Sequence, residues 1–280
     1  MNNKVKKIRL DVYLLNNDYF ESREKARIAI MEGKVFVNNQ KEDKPGTMIK
    51  EDAIVEFRGE KLKYVSRGGL KLEKAISDFN ISLKDKVCMD IGASTGGFTD
   101  VMLQNGASKV YAIDCGTNQL DYKLRIDDRV VSMENTNARY LTKNDINNEN
   151  IDFVSVDVSF ISLKKIIPVI KEVLIDEGEA VLLIKPQFEA GKDLVLKGGV
   201  VKDKNIHIDI ISDIINFCED EGFRVIDINF SPIKGPAGNI EYLLYIVNHG
   251  YKIINQSDIN DLYIKSLVEN AHKVLYMRII

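Results

Sequence analysis

Four charged residues in this chain occupy places where one mechanism could use them. Asp157 follows the apolar run Phe153-Val154-Ser155-Val156, and Lys185 ends Ala180-Val181-Leu182-Leu183-Ile184 just before Pro186. Glu241 opens a last apolar run, 241–247, after Gly235-Pro236-Ala237-Gly238-Asn239-Ile240. Lys71 belongs to Ser66-Arg67-Gly68-Gly69-Leu70-Lys71, where a helical stretch begins. A lysine that terminates a buried strand is unusual, because an unpaired ammonium is costly to bury. Open α/β sheets gather their active-site groups at the carboxyl ends of strands. Lysines and acids brought together there could take the proton of a weakly acidic hydroxyl, such as a ribose 2′-hydroxyl attacking a methyl group. In that scheme Lys185 is the base, Lys71 a second cation, and Asp157 and Glu241 orient the two ammonium groups. Correct alignment of hydroxyl and methyl group would supply much of the rate. Taken singly, each of the four reads equally well as half of an ion pair at a sheet edge.

A glycine-rich segment, Asp90-Ile91-Gly92-Ala93-Ser94-Thr95-Gly96-Gly97-Phe98, follows an apolar strand and opens a helix. Its glycines permit a sharp turn and a close backbone approach to a ligand. A dinucleotide fingerprint would need glycine at position 94, where a pyrophosphate presses on the backbone. Ser94 argues against a diphosphate and so against a dehydrogenase. The acid ahead of the loop suits the methionine ammonium of S-adenosylmethionine, and Asp114, ending the next strand, is placed to accept from ribose hydroxyls. The expected cofactor set is Asp90, Gly92, Ala93, Ser94, Gly96, Gly97, Phe98, Asp114 and Asp157.

These residues need a scaffold, and the hydrophobic pattern supplies one. From residue 62 onward, apolar runs occur at 87–89, 110–113, 153–156, 180–184, 223–226 and 241–247, with helical stretches at 70–78, 97–105, 163–175 and 205–221. Alternating strands and helices predict an α/β domain with a parallel sheet covered on both faces. The link between the last two runs carries Pro232, Gly235-Pro236 and Gly238 but no helix, which predicts an antiparallel edge. A seven-stranded sheet with one reversed strand is the Rossmann-like shape of S-adenosylmethionine-dependent methyltransferases.

The first 60 residues read differently. Two short helices are expected within 9–33, the second capped by Ser22 and closed by Gly33, followed by strands at 35–37 and 53–57 around the turn Asn38-Asn39. The overall charge of −3 hides a split. Residues 1–74 hold 17 Lys and Arg against 12 Asp and Glu, a balance of +5, which leaves −8 for the rest. Phosphate backbones would be met at the positive end. The motifs Arg9-Leu10-Asp11, Ser22-Arg23-Glu24-Lys25-Ala26-Arg27, Gly33-Lys34-Val35-Phe36-Val37-Asn38 and Lys44-Pro45 with Asp52 resemble the small α+β RNA-binding domain named after ribosomal protein S-four. That resemblance implies RNA contacts from Arg9, Arg23, Lys25, Arg27 and Lys34, to which Arg67 is added in the second domain.

The whole chain is similar to the TlyA family, through Ser66 to Glu73, Asp90 to Phe98, Lys185-Pro186-Gln187-Phe188-Glu189, Gly198-Gly199-Val200-Val201 and Gly235 to Glu241. Members are rRNA 2′-O-methyltransferases with an FtsJ-like catalytic domain, once labelled haemolysins. The resemblance implies a Lys-Asp-Lys-Glu tetrad of Lys71, Asp157, Lys185 and Glu241, with ribosomal RNA or a ribosomal subunit as partner. Expected boundaries are an RNA-binding domain over 1–60, a linker at 61–65 and the methyltransferase domain over 66–280. Two rivals make different demands. A pore-forming haemolysin needs a spanning or inserting segment or a secretion signal, yet no apolar run approaches the ~18 residues of a membrane helix and the N-terminus is polar. A non-catalytic RNA- or ribosome-binding protein would bind without transferring a methyl group. Those same absences, of a membrane run and of a secretion signal, lead to a cytoplasmic location as the expectation, and three scattered cysteines and three histidines without ligand spacing to no metal.

Overall fold

The computed structural model describes residues 7–17, 19–20, 22–59, 63–191, 194–195, 198–249 and 259–277. The chain forms two compact units, residues 1–62 and 63–280.

In the first unit β1 (Lys7–Arg9) runs into α1 (Leu10–Asn16), and α2 (Arg23–Met31) follows. Four short strands complete it: β2 (Val35–Val37), β3 (Gln40–Glu42), β4 (Met48–Lys50) and β5 (Val55–Phe57). Ser22 caps α2 by accepting the Lys25 N–H, and Gly33 closes it at a φ of +68°. Asn38 and Asn39 both take positive φ, the conformation of a two-residue hairpin, and fold β2 onto β3. Leu10, Leu14, Ala26, Ile30, Val35 and Val55 are buried together as the core of this unit. Ile8, expected on the face of the first helix, lies instead in β1, paired with β4. The buried helix face is Leu10 and Leu14, one turn apart.

The second unit opens with α3 (Gly69–Asp78), β6 (Val87–Ile91), α4 (Gly97–Gln104), β7 (Lys109–Ile113), a single turn α5 (Tyr122–Arg125), β8 (Val130–Met133) and β9 (Ile151–Val156). It continues with α6 (Ile167–Val173), β10 (Leu174–Ile184), the turn α7 (Pro186–Glu189), α8 (Lys204–Asp220), β11 (Phe223–Phe230), β12 (Tyr242–Asn248) and α9 (Asp261–Met277). Seven strands form one sheet in the order β11-β12-β10-β9-β6-β7-β8. Only β12 is reversed, antiparallel to both of its neighbours. It is not at the edge, as expected, but lies one strand in, covered by β11. Successive residues serve opposite faces: Leu182 and Ile184 join one apolar cluster, Val181 and Leu183 the other. This two-sided burial is why the central strands read as unbroken apolar runs.

Three stretches depart from expectation. The helix expected at 163–175 is a 3-10 turn, Leu163–Lys165, followed by α6 with Pro168 in its first turn, and its last residues already belong to β10. Of the expected linker, Lys61 and Leu62 lie outside the described residues, while Lys63 to Val65 pack onto the second unit. Lys63 pairs with Glu73, Tyr64 is buried, and the Val65 N–H donates to Asp100 at 2.9 Å. Helix α9 was not expected, although Ile264, Val268, Ala271 and Leu275 bury one face at helical spacing.

Candidate active site

Strand order decides which residues meet. Along the edge where the parallel strands end and the reversed β12 begins stand Glu241, Lys185, Asp157, the loop after β6, and Asp114. The chain switches direction between β6 and β9, where the first strands of a doubly wound sheet part and a crevice opens. Pairing of Ile184 with Tyr242 brings their neighbours Lys185 and Glu241 to the same edge. Helix α3 adds Lys71, its third residue, from one face.

The four side chains form an alternating row. Glu241 Oε2 lies 2.8 Å from Lys71 Nζ, which lies 3.3 Å from Asp157 Oδ2. The other oxygen of Asp157 meets Lys185 Nζ at 2.5 Å, and that lysine donates to Ser159 Oγ at 3.0 Å. Both lysines are 7% exposed and Glu241 1%. Burial opposes charge on Lys71, but Asp157 and Glu241 outweigh it and hold its pKa above the usual lysine value. Lys71 is thus held as the standing cation of the row. Ser159 was missed by sequence reasoning; a serine two residues past a strand carries no signal of its own.

A cavity of about 280 Å³ opens beside this row, lined by Arg67, Gly92 to Thr95, Gly97, Phe98, Asp157, Lys185 and the loop 233–236. The glycine loop is tightly built. A Cβ on Gly92 would stand 2.5 Å from the Asp157 carbonyl oxygen, and its φ of +86° is a second bar to any other residue. Ser94 too is left-handed, at +49°. Asp114 accepts from the N–H groups of Ser94 and Gly116 at 2.8 and 2.7 Å, which ties the loop to the end of β7. Gly96 faces Leu120 and Leu124 rather than the cavity.

Asp90 sits deeper than the rest of the expected cofactor set. It is fully buried, and its carboxylate accepts from the Thr99 N–H and hydroxyl and from the Ser155 hydroxyl. These bonds join β6, β9 and α4, and Asp90 is not among the side chains that line the cavity. Burial, aided by the charge of Asp157, pushes its pKa up to about 7.

The loop after Asp157 carries a further feature that the sequence did not disclose. Phe160 is 92% exposed, has a φ of +64°, and lies 5.0 Å from the ring of Phe188. A bulky aromatic residue held left-handed and open to water is costly twice over, and such outliers cluster at functional sites. Behind the 233–236 loop Asn239, 1% exposed, donates to the Gly199 carbonyl and accepts from the Val201 N–H. His207, also buried, joins the Val201 carbonyl to the Tyr242 hydroxyl.

In the first unit, Asp11 is sealed from solvent and clamps both Arg9 and Arg23, whose guanidinium groups stay about half exposed. Burial opposes its charge, but the two arginines prevail and hold its carboxyl below the usual range. Arg27 pairs with Glu24 and Lys34 with Glu32 on the surface; Lys25 is half-buried and Arg67 exposed. Among the described residues no cluster of metal-binding side chains occurs, and no helix is long and apolar enough to cross a membrane.

Comparison with known proteins agrees with this arrangement. The model of the FtsJ-like methyltransferase family matches residues 64–248, and that of the S4 domain matches residues 8–55. The Bacillus subtilis protein YqxC, which carries an rRNA methyltransferase label, is 48% identical over 270 residues, 96% of each chain. The 16S/23S rRNA (cytidine-2′-O)-methyltransferase TlyA of Mycobacterium tuberculosis is 35% identical over 265 residues, 94% of this chain and 98% of that one. A solved Streptococcus thermophilus structure under the label hemolysin superposes with a TM-score of 0.76 at 46% identity, covering 98% of both chains. The chain belongs to the TlyA family, in which an S4 domain precedes an FtsJ-like methyltransferase domain.

Proposed function

We propose that this protein transfers a methyl group from S-adenosylmethionine to a ribose 2′-hydroxyl of ribosomal RNA. The observation that carries this reading is the row Glu241–Lys71–Asp157–Lys185 at the wall of a cavity shared with the glycine loop. The residues present fit the donor. Backbone groups of Gly92 to Thr95 and the carboxylate of Asp157 suit a sulfonium cation with an amino-acid tail, and Asp114 keeps lone pairs for ribose hydroxyls. When bound, the donor supplies an electrophilic methyl group.

The remaining work falls to the chain. Lys185, as the neutral amine after releasing its own proton to solvent, holds the 2′-hydroxyl and receives its proton at Nζ, with Asp157 and Ser159 fixing the direction of that nitrogen. Lys71, kept charged, neutralises Asp157 from the other side, and buried Glu241 fixes Lys71 in turn. Phe160, exposed and next in the chain to the cavity-lining Ser159, gives an unstacked base a face to rest on. Arg9, Arg23, Lys25, Arg27, Lys34 and Arg67 meet the RNA backbone.

Single-turnover transfer at saturating RNA and donor tests the role of Lys185. Loss of a general base predicts a rate lower by about 10²–10⁴-fold in Lys185→Ala, and Lys185→Arg should be as slow, since a guanidinium stays protonated. An Arg enzyme within a few-fold of the parent would show that Lys185 positions the hydroxyl electrostatically and is not the base.

A further inference from the structure

Even with both lysines protonated the tetrad only balances, two ammonium groups against two carboxylates. Two more cations line the same cavity, Arg67 and Lys234, and among the described residues neither forms an ion pair with a carboxylate. Arg67 lies close to the glycine loop: its neighbour Ser66 has its hydroxyl 2.4 Å from where a Cβ on Gly97 would be. Lys234 lies elsewhere. It belongs to the connection from β11 to β12, and β12, β10 and β9 stand between that connection and the loop after β6. It is thus on the Glu241 and Lys185 side of the site, away from Asp114.

Its charge is held in place without being cancelled. Lys234 Nζ lies 3.8 Å from the centre of the Tyr276 ring, in the last turn of α9. An aromatic face attracts an ammonium and fixes its direction but leaves the full positive charge available to an anion. His272, one turn earlier in α9, brings no anion. Burial chiefly, with His207, Lys204 and Lys234 nearby, drives its pKa down to about 4, so the ring is neutral at physiological pH.

We propose that Lys234 contacts an RNA phosphate next to the ribose being methylated, and that Tyr276 of the C-terminal helix is its positioning residue. This rests on the function proposed above. A nucleotide whose 2′-hydroxyl reaches Lys185 brings its own phosphates within a few ångströms of the cavity rim, and the tetrad offers them no net positive charge. Lys234 supplies that charge on the acceptor side. Tyr276 removes the freedom that a four-carbon side chain would otherwise lose on binding.

The test measures binding of the full-length protein to an rRNA fragment by fluorescence anisotropy across a salt series, with donor affinity measured by calorimetry in parallel. Lys234→Gln should bind RNA several-fold more weakly at low salt, with a slope of log K against log salt shallower by about 0.7–0.9, the loss of one phosphate contact. Tyr276→Phe keeps the aromatic face and should match the parent, whereas Tyr276→Leu should lose at least about two-fold in RNA affinity. Donor affinity should be unchanged in all three. A parent-like slope in Lys234→Gln would overturn the proposal. So would a fall in donor affinity with RNA binding intact, which would assign Lys234 to the donor's carboxylate. Weakening in Tyr276→Phe equal to that in Tyr276→Leu would overturn the positioning role. Binding is read without turnover, so a parent that fails to methylate rRNA would undo the functional reading alone.

Discussion

Asp90 and Asp157 belong to neighbouring strands, yet one carboxylate is sealed and the other, 20% exposed, faces the cavity. Burial raises the pKa of Asp90 to about 7, well above the value of about 4 expected in an unfolded chain. The folded protein therefore binds the extra proton between these values, and stability falls as pH rises through that window. Asp90→Asn keeps an acceptor for Thr99 and has no charge to desolvate. Thermal denaturation of both proteins from pH 4 to pH 8 should show the parent losing stability relative to Asp90→Asn up to about pH 7, by at most about 4 kcal/mol, and a constant difference above it. A constant difference throughout would mean that Asp90 titrates normally. The four members of the charged row were legible because charges at the ends of apolar runs are expensive and therefore conspicuous. Ser159 and Phe160 were not, since their meaning lies in one backbone angle and one hydrogen bond that no local pattern encodes. The full burial of Asp90 was not legible either, because a motif position shows which strand an acid is on, not how deep its side chain lies.

Loops rather than strands complete the site, and they are held by side chains buried behind them. Asn239 ties the segment 198–201 to the 235–241 connection, and a Cβ on Gly235 would stand 2.5 Å from Glu241 Oε1, so the two pieces fit with no spare room. Removing Asn239 leaves the Val201 N–H and the Gly199 carbonyl without their partner. Asn239→Ala should lower stability by about 1–3 kcal/mol, which for a unit of this size is roughly 2–12 °C in the melting midpoint. Differential scanning calorimetry would read it; an unaltered midpoint would show that water or backbone movement satisfies both groups. The central strands were legible from burial on both faces, whereas β8 was not, being short, partly exposed and flanked by charge. The reversed strand was expected from the helix-free connection before it. Its place inside the edge depends on β11 pairing beyond it, a long-range choice outside the reach of local pattern.

Each unit has its own apolar core, and the positive balance of the first 74 residues contrasts with the negative balance of the rest. A chain lacking residues 1–62 should bind S-adenosylmethionine with the parent's affinity in calorimetry while losing most of its transfer to RNA and the steep salt dependence of RNA binding. Full-rate methylation by the shortened chain would contradict the division of labour. The central claim concerns the atom that is methylated. Purified protein incubated with labelled S-adenosylmethionine and ribosomal RNA, followed by complete digestion and mass spectrometry of the nucleosides, reads it directly. The account predicts a label on a 2′-O-methylated nucleoside, absent when Lys185→Ala replaces the parent; a label on a base, or a label that survives that substitution, would contradict it.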